Sequence, residues 1–173
     1  MKNTAIGILV LLLLACSNQS TKEEPSISSL SEVEEKRLAY ISSGVEKIQS
    51  LLEDSDGEME ALLEPKIWVN SQMDILFTPD RKKGTTVRVA LNDLDPQNIH
   101  LIADEAEGEF PGIAISTYNG AQKVNSEPKK GNTSQSAEFV VYLKDRSAIE
   151  KLAPILLQTI NIAQGGYDDF LKN

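Results

Sequence analysis

The chain holds one cysteine and one histidine among its 173 residues. With Cys16 alone, no disulfide can close within the molecule. One histidine and one cysteine cannot supply the ligands of a His/Cys zinc site, so no metal centre of that kind is expected. A Ser-His-Asp relay would have to use His100, which sits in the alternating segment Asn98-Ile99-His100-Leu101; an exposed strand histidine is the expectation there. The sequence has no G-x-S-x-G elbow, no glycine-rich phosphate loop and no dinucleotide fingerprint, so no cofactor is implied. Long hydrophobic runs are missing too. The apolar run over residues 5–15 has 11 residues, against the roughly 20 that span a bilayer as a helix. Positive charge is scarce: 17 Lys and Arg stand against 26 Asp and Glu, for a formal net charge of −9. Such a chain repels phosphate backbones, which makes nucleic acid a poor partner.

What is present begins with that short run. Lys2 precedes it, no polar face interrupts it, and it ends at Leu13-Leu14-Ala15-Cys16. This order of charge, apolar run, small residue and cysteine resembles the signal peptide and lipobox of bacterial lipoproteins. The resemblance implies cleavage before Cys16, a diacylglycerol thioether on its sulfur, and an acylated amine. Several acyl chains at roughly 0.8 kcal/mol per buried CH₂ make such an anchor permanent. Ser17 stands where the family's inner-membrane retention signal has Asp, which points to the outer membrane. Lys22-Glu23-Glu24 resembles the export signal of Bacteroidota surface lipoproteins, which leaves the periplasmic and outer faces both open.

Residues 1–15 are thus expected to be a signal peptide, and 16–30 a lipidated cysteine with a polar, Ser-rich tether. One α+β domain is expected over 31–166: helical to 65, strands over 66–144, a C-terminal helix over 145–164. Residues 167–173 are a tail. Ser31 and Glu34 form a capping-box pattern. Leu38, Ile41, Val45, Ile48 and Leu52 then recur every three or four residues, predicting a helix with one docked face. A coiled-coil seam is the lesser reading, since the pattern lasts two heptads and Gly44 interrupts it. Gly57 breaks the helix, and Met59, Leu62 and Leu63 suggest a short helical turn before Pro65. The acids Glu53, Asp54, Asp56, Glu58 and Glu60 invite a calcium reading. It fails, because Met59 and Pro65 occupy the sixth and twelfth positions of a loop begun at Asp54.

From residue 66 the period becomes two. Met73, Ile75 and Phe77 alternate with polar neighbours, as do Val87, Val89 and Leu91. Ile99, Leu101 and Ala103 follow, then Ile113 and Ile115, and finally Phe139, Val141 and Leu143. Asn119-Gly120 predicts a hairpin between extended segments, and residues 125–136 read as a polar loop. About six strands with short connections predict an antiparallel sheet or partly open barrel. Asp145 caps a last helix with Ile149, Leu152, Leu156, Ile160 and Ala163 on one stripe, kinked by Pro154 and ended by Gly165-Gly166. Over residues 66–164 this order of strands, turn and amphipathic C-terminal helix resembles a pleckstrin-homology-type barrel. That superfold serves many ligands and names none.

Candidate site residues are few. Cys16 is the lipidation site. Asp93 and Asp95, with Gln97 and Asp104, mimic a calcium loop, but Pro96 and Asn98 replace what it needs, and turn chemistry accounts for them. With Glu105, Glu107 and Glu109 these acids are also the only candidates for carboxylate catalysis. Trp68 and Tyr118 offer stacking faces, with core packing the plainer reading. Arg81-Lys82-Lys83 offers an anion grip, with a solvated turn the plainer reading. The expected function is a membrane-anchored, non-catalytic binding or interaction module of the bacterial envelope. Its partners would be the bilayer, through acylated Cys16, and an envelope protein or small ligand. The alternatives are an acidic inhibitor or immunity-type lipoprotein and a carboxylate-dependent envelope hydrolase.

Overall fold

The computed structural model describes residues 30–59, 62–102 and 110–167. The signal segment, Cys16, the tether, Glu60, Ala103, Asp104, Glu105, Glu107 and Glu109 lie outside the described residues.

The first helix, α1, spans Glu32–Glu53 and starts as the sequence dictates. The Ser31 hydroxyl accepts the Glu34 N–H at 3.3 Å, and the Glu34 carboxylate accepts the Ser31 N–H at 2.8 Å. The Ser31 N–H, and the Ser31 hydroxyl that donates to the same carboxylate at 2.8 Å, hold the Glu34 carboxyl below its ordinary range. Ile41, Val45, Ile48 and Leu52 are fully buried and Leu38 half-buried, so the stripe is a docked face and not a free seam. Each such side chain contributes about 1.5–3 kcal/mol on burial. The helix ends at Asp54. Glu60 and Ala61, at the centre of the expected extra turn, lie outside the described residues; at its ends Met59 and Leu62 are buried, and the Leu62 N–H donates to the Met59 carbonyl at 3.0 Å.

The second helix, α2, spans Arg146–Ala163. Asp145 caps it by accepting the Ala148 N–H at 2.7 Å. Ile149, Leu152, Leu156, Ile160 and Ala163 are all buried. Helical structure continues through Pro154, which lies on the exposed side. The two helices pack on each other, and α1 also covers the first strand. At their crossing, a Cβ built on Gly44 would lie 2.4 Å from the Thr159 hydroxyl oxygen. The glycine that spoils a coiled-coil seam is a point of close approach between the helices.

Among the described residues eight strands form where about six were expected: β1 Lys66–Val69, β2 Asp74–Thr78, β3 Thr86–Ala90, β4 Leu94–Ile102, β5 Gly112–Thr117, β6 Val124–Glu127, β7 Ser134–Ser136 and β8 Glu138–Tyr142. All pairings between them are antiparallel. They make a five-stranded sheet in the order β1-β2-β3-β6-β7 and a three-stranded sheet in the order β4-β5-β8. Only Ala137 separates β7 from β8, and its carbonyl accepts the Thr117 N–H at 2.8 Å. One bent strand therefore serves both sheets, a usual way to turn a sheet corner. The α+β class, with an N-terminal and a C-terminal helix, is as expected. The barrel is open.

Two expectations about the strands need correcting. Asn119 (φ +57°) and Gly120 (φ +65°) do make a tight turn, closed from the Ala121 N–H to the Tyr118 carbonyl. The strands it joins do not pair: β5 belongs to the small sheet and β6 to the large one. The turn chemistry is local and was legible, but strand pairing is decided by which faces are buried. The polar loop over 125–136 is the second correction. It is a hairpin of β6 and β7, with Val124 opposite Ser136 and Ser126 opposite Ser134. Backbone ladder bonds and an Asn125–Gln135 amide bond at 2.9 Å hold it without an apolar face.

A single buried cluster joins both helices and both sheets. Within it Phe77 and Phe139 meet edge to face, 6.4 Å between centroids, and link the large sheet to the small one. No helix among the described residues is long and apolar enough to cross a membrane.

Candidate binding cleft

Two depressions shaped by the described residues bear on a site. The larger, of about 520 Å³, lies beside the end of α1 and is lined by Gln49, Glu53, Asp56, Glu64, Lys66 and Arg81. Its polar groups already serve the fold. Gln49 donates to the Pro65 carbonyl at 3.1 Å and accepts the Ile67 N–H at 2.8 Å, so its amide imitates a partner strand along β1. Asp56 accepts the Glu64 N–H at 2.9 Å, and Arg81 lies 3.8 Å from Glu64.

The smaller depression, of about 370 Å³, is a cleft between the β2–β3 hairpin and β8. Leu62, Phe77, Pro79, Val87, Val140 and the Tyr142 ring make its apolar walls, and Asp80, Lys83 and Thr85 add its polar groups. Local structure fixes both sides. Leu63 bridges to Asp80, with the Leu63 N–H donating to the Pro79 carbonyl and the Arg81 N–H to the Leu63 carbonyl. This lays Leu62 against the end of β2. The Thr78 and Thr86 hydroxyls meet across the hairpin at 2.9 Å. Asp80 folds the turn: its carboxylate accepts the N–H groups of Lys82 and Lys83 at 2.8 and 3.1 Å. These N–H donors, that of Lys83 foremost, with the Lys83 ammonium beside it, hold the Asp80 carboxyl below its usual range. On the β8 side, Tyr142 pairs across from Gly112, where a Cβ would come within 2.8 Å of the ring.

Of the residues that the sequence singles out, Lys83 lines the cleft and the acids Asp93 and Asp95 do not. Asp93 pairs with Lys123 just beyond the end of β3 opposite the β2–β3 turn, and Asp95 accepts the Gln97 N–H at 3.0 Å, as a turn aspartate does. Neither lines the cleft. The strand register shifts between Leu94 and Ile99, which accommodates Pro96 within β4. Among the described residues no three of His, Cys, Asp and Glu gather as metal ligands. His100 is half exposed on β4, its Nε2 3.9 Å from Glu138. Its neighbour Leu101 is 54% exposed, where a buried strand position was expected.

The plainer readings of the aromatics do not hold. Trp68 is half-buried on the outermost strand, under the Lys66 ammonium at 5.3 Å, and outside the core cluster. Tyr118 is 43% exposed and donates to Gln164 at 3.0 Å. Arg81, Lys82 and Lys83 are exposed at a turn, as expected. The sequence reading did not single out Tyr142, Val140 or Lys129 for this region. Their only sequence signal was alternation in one strand and a lysine pair in a turn.

No protein-family model, curated protein or solved structure matches the chain. What this cleft does must therefore be argued from its own geometry. Apolar walls with a few convergent polar groups suit binding.

Proposed function

We propose that the chain is a membrane-anchored lipoprotein of the bacterial envelope whose body is a non-catalytic binding module, with the cleft between β2–β3 and β8 as its ligand site. The cleft itself carries the reading. A concave, apolar-walled site with a few polar groups is the usual form of a small-ligand site. The anchor rests on Leu13-Leu14-Ala15-Cys16, and the Ser after the cysteine favours the outer membrane. The order of strands followed by an amphipathic C-terminal helix keeps a pleckstrin-homology-type relationship in view. Carboxylate hydrolysis draws no support from Asp93, which is paired with Lys123, or from Asp95, which holds its own turn. The acidic-inhibitor reading draws on exposed Glu53 and Asp54, but Glu58 is paired with Lys144 at 3.4 Å and Asp56 bonds the Glu64 backbone.

Two measurements test the proposal. Cys16→Ser should abolish incorporation of a palmitate analogue; labelling at the wild-type level refutes the anchor. Val140→Trp should fill the cleft and abolish retention of any molecule that co-purifies with the native chain. Undiminished retention would remove the cleft from the proposal.

A further inference from the structure

We infer that the cleft takes a single-chain amphiphilic anion, its tail between Phe77, Val87 and Val140 and its acidic head at lysines of two hairpin turns. This rests on the reading above that the cleft is a ligand site. Sheet register brings the two turns together. Phe77 pairs with Val87, Thr86 with Glu127, and Ser126 with Ser134. The β2–β3 and β6–β7 turns therefore leave the same end of the large sheet. They also touch. The alkyl stem of Lys129 packs over Gly84, 3.1 Å from where a Cβ would stand, and Gly84 has φ +68°. Only glycine meets both demands without strain.

Five of the chain's 17 Lys and Arg thus stand at one end of the large sheet: Arg81, Lys82 and Lys83 from one turn, Lys129 and Lys130 from the other. The acids close by are mostly engaged. The Asp80 side chain is 6% exposed and bonds its own turn, and Glu64 faces Arg81. Lys83 is 72% exposed and only 3.6 Å from Asp80 at its nearest, so it keeps donors for an incoming anion. Thr85 and Tyr142 add hydroxyls within the same lining. Apolar wall and basic rim together select a ligand with both characters. A polyanion would use the lysines and leave the wall bare, whereas a neutral ligand would leave the lysines idle. The volume of about 370 Å³ is at the small end for ligand pockets, roughly 300–1,000 Å³, and suits one chain rather than two.

The test is photolabelling of the full-length chain in envelope vesicles with a diazirine-bearing dodecanoate. Label should map to Phe77, Val140 or Tyr142, and an otherwise identical dodecylamine probe should label the cleft weakly. Exposed lysines can be reversed without disturbing the core, so Lys83→Glu with Lys129→Glu should keep the native circular dichroism while cleft label falls about tenfold. Val140→Trp should remove the cleft label. Equal labelling by the amine, label unchanged in the double variant, or label confined to other surfaces would overturn the inference. A neutral molecule or peptide retained by the native chain and lost in Val140→Trp would also overturn it while leaving the binding-module reading intact. No retained molecule and no cleft label would end both.

Discussion

Replacing Gly44 by alanine should destabilise the protein, although the same change in an open helix stabilises it. The intrinsic gain is about 0.8–1.0 kcal/mol, because alanine loses less backbone entropy. Here the new Cβ would lie 2.4 Å from Thr159 Oγ1, when ordinary contact begins near 3.4 Å. About 1.0 Å (3.4 − 2.4) has to be found. Thr159 is 2% exposed and its hydroxyl donates to the Ile155 carbonyl at 2.7 Å. Rotating it breaks that bond, and shifting α2 disturbs the packed stripe. Such overpacking costs about 1–3 kcal/mol, so the net change should be a loss of about 1 kcal/mol. The Thr159→Ala background removes the obstacle. The nearest remaining atom is then the Cβ of residue 159 at 3.6 Å, an ordinary contact. Gly44→Ala should there recover its gain of about 0.8 kcal/mol, which reverses its sign. Urea unfolding of the four proteins, truncated to residues 17–173 and followed by circular dichroism, measures the cycle. A stabilising Gly44→Ala in the native background, or a coupling below about 0.5 kcal/mol, would refute the close approach.

The β1 edge depends on one amide: Gln49→Ala strands the Ile67 N–H and the Pro65 carbonyl, and should cost about 1–3 kcal/mol in urea unfolding. An unchanged midpoint would mean water satisfies both groups. Asp80 has a folded pKa below its unfolded value, so its stabilisation is complete above about pH 4 and is lost as pH falls through the folded pKa. Asp80→Asn should flatten the acid limb of a stability–pH profile below about pH 4; an unaltered slope there would contradict the turn geometry. His100→Ala should change stability by less than about 1 kcal/mol, since the ring is half exposed and meets Glu138 only at 3.9 Å. It should also leave cleft photolabelling as it was, and loss of label would give the histidine a role this geometry denies it.

The amino-acid sequence by itself determined what depends on neighbours along the chain. Ser31 and Glu34 are three residues apart, as are Asp145 and Ala148, so both helix starts were legible. The stripes of α1 and α2 follow from a 3.6-residue period, and Asn119-Gly120 announced its turn through backbone preference alone. The tertiary structure decided what depends on partners far away in sequence. It placed β5 and β6 in different sheets on either side of that turn, and it made a ladder of β6 and β7 from residues with no apolar alternation. It used Gly44 as a crossing point because Thr159 stands opposite, and Gln49 as an edge cap because β1 runs beside α1. It also set Lys129 over Gly84 and Val140 across from Val87, which no local pattern encodes. A cleft is the space between elements, and its lining is fixed only once burial of the core faces has chosen which strands lie together.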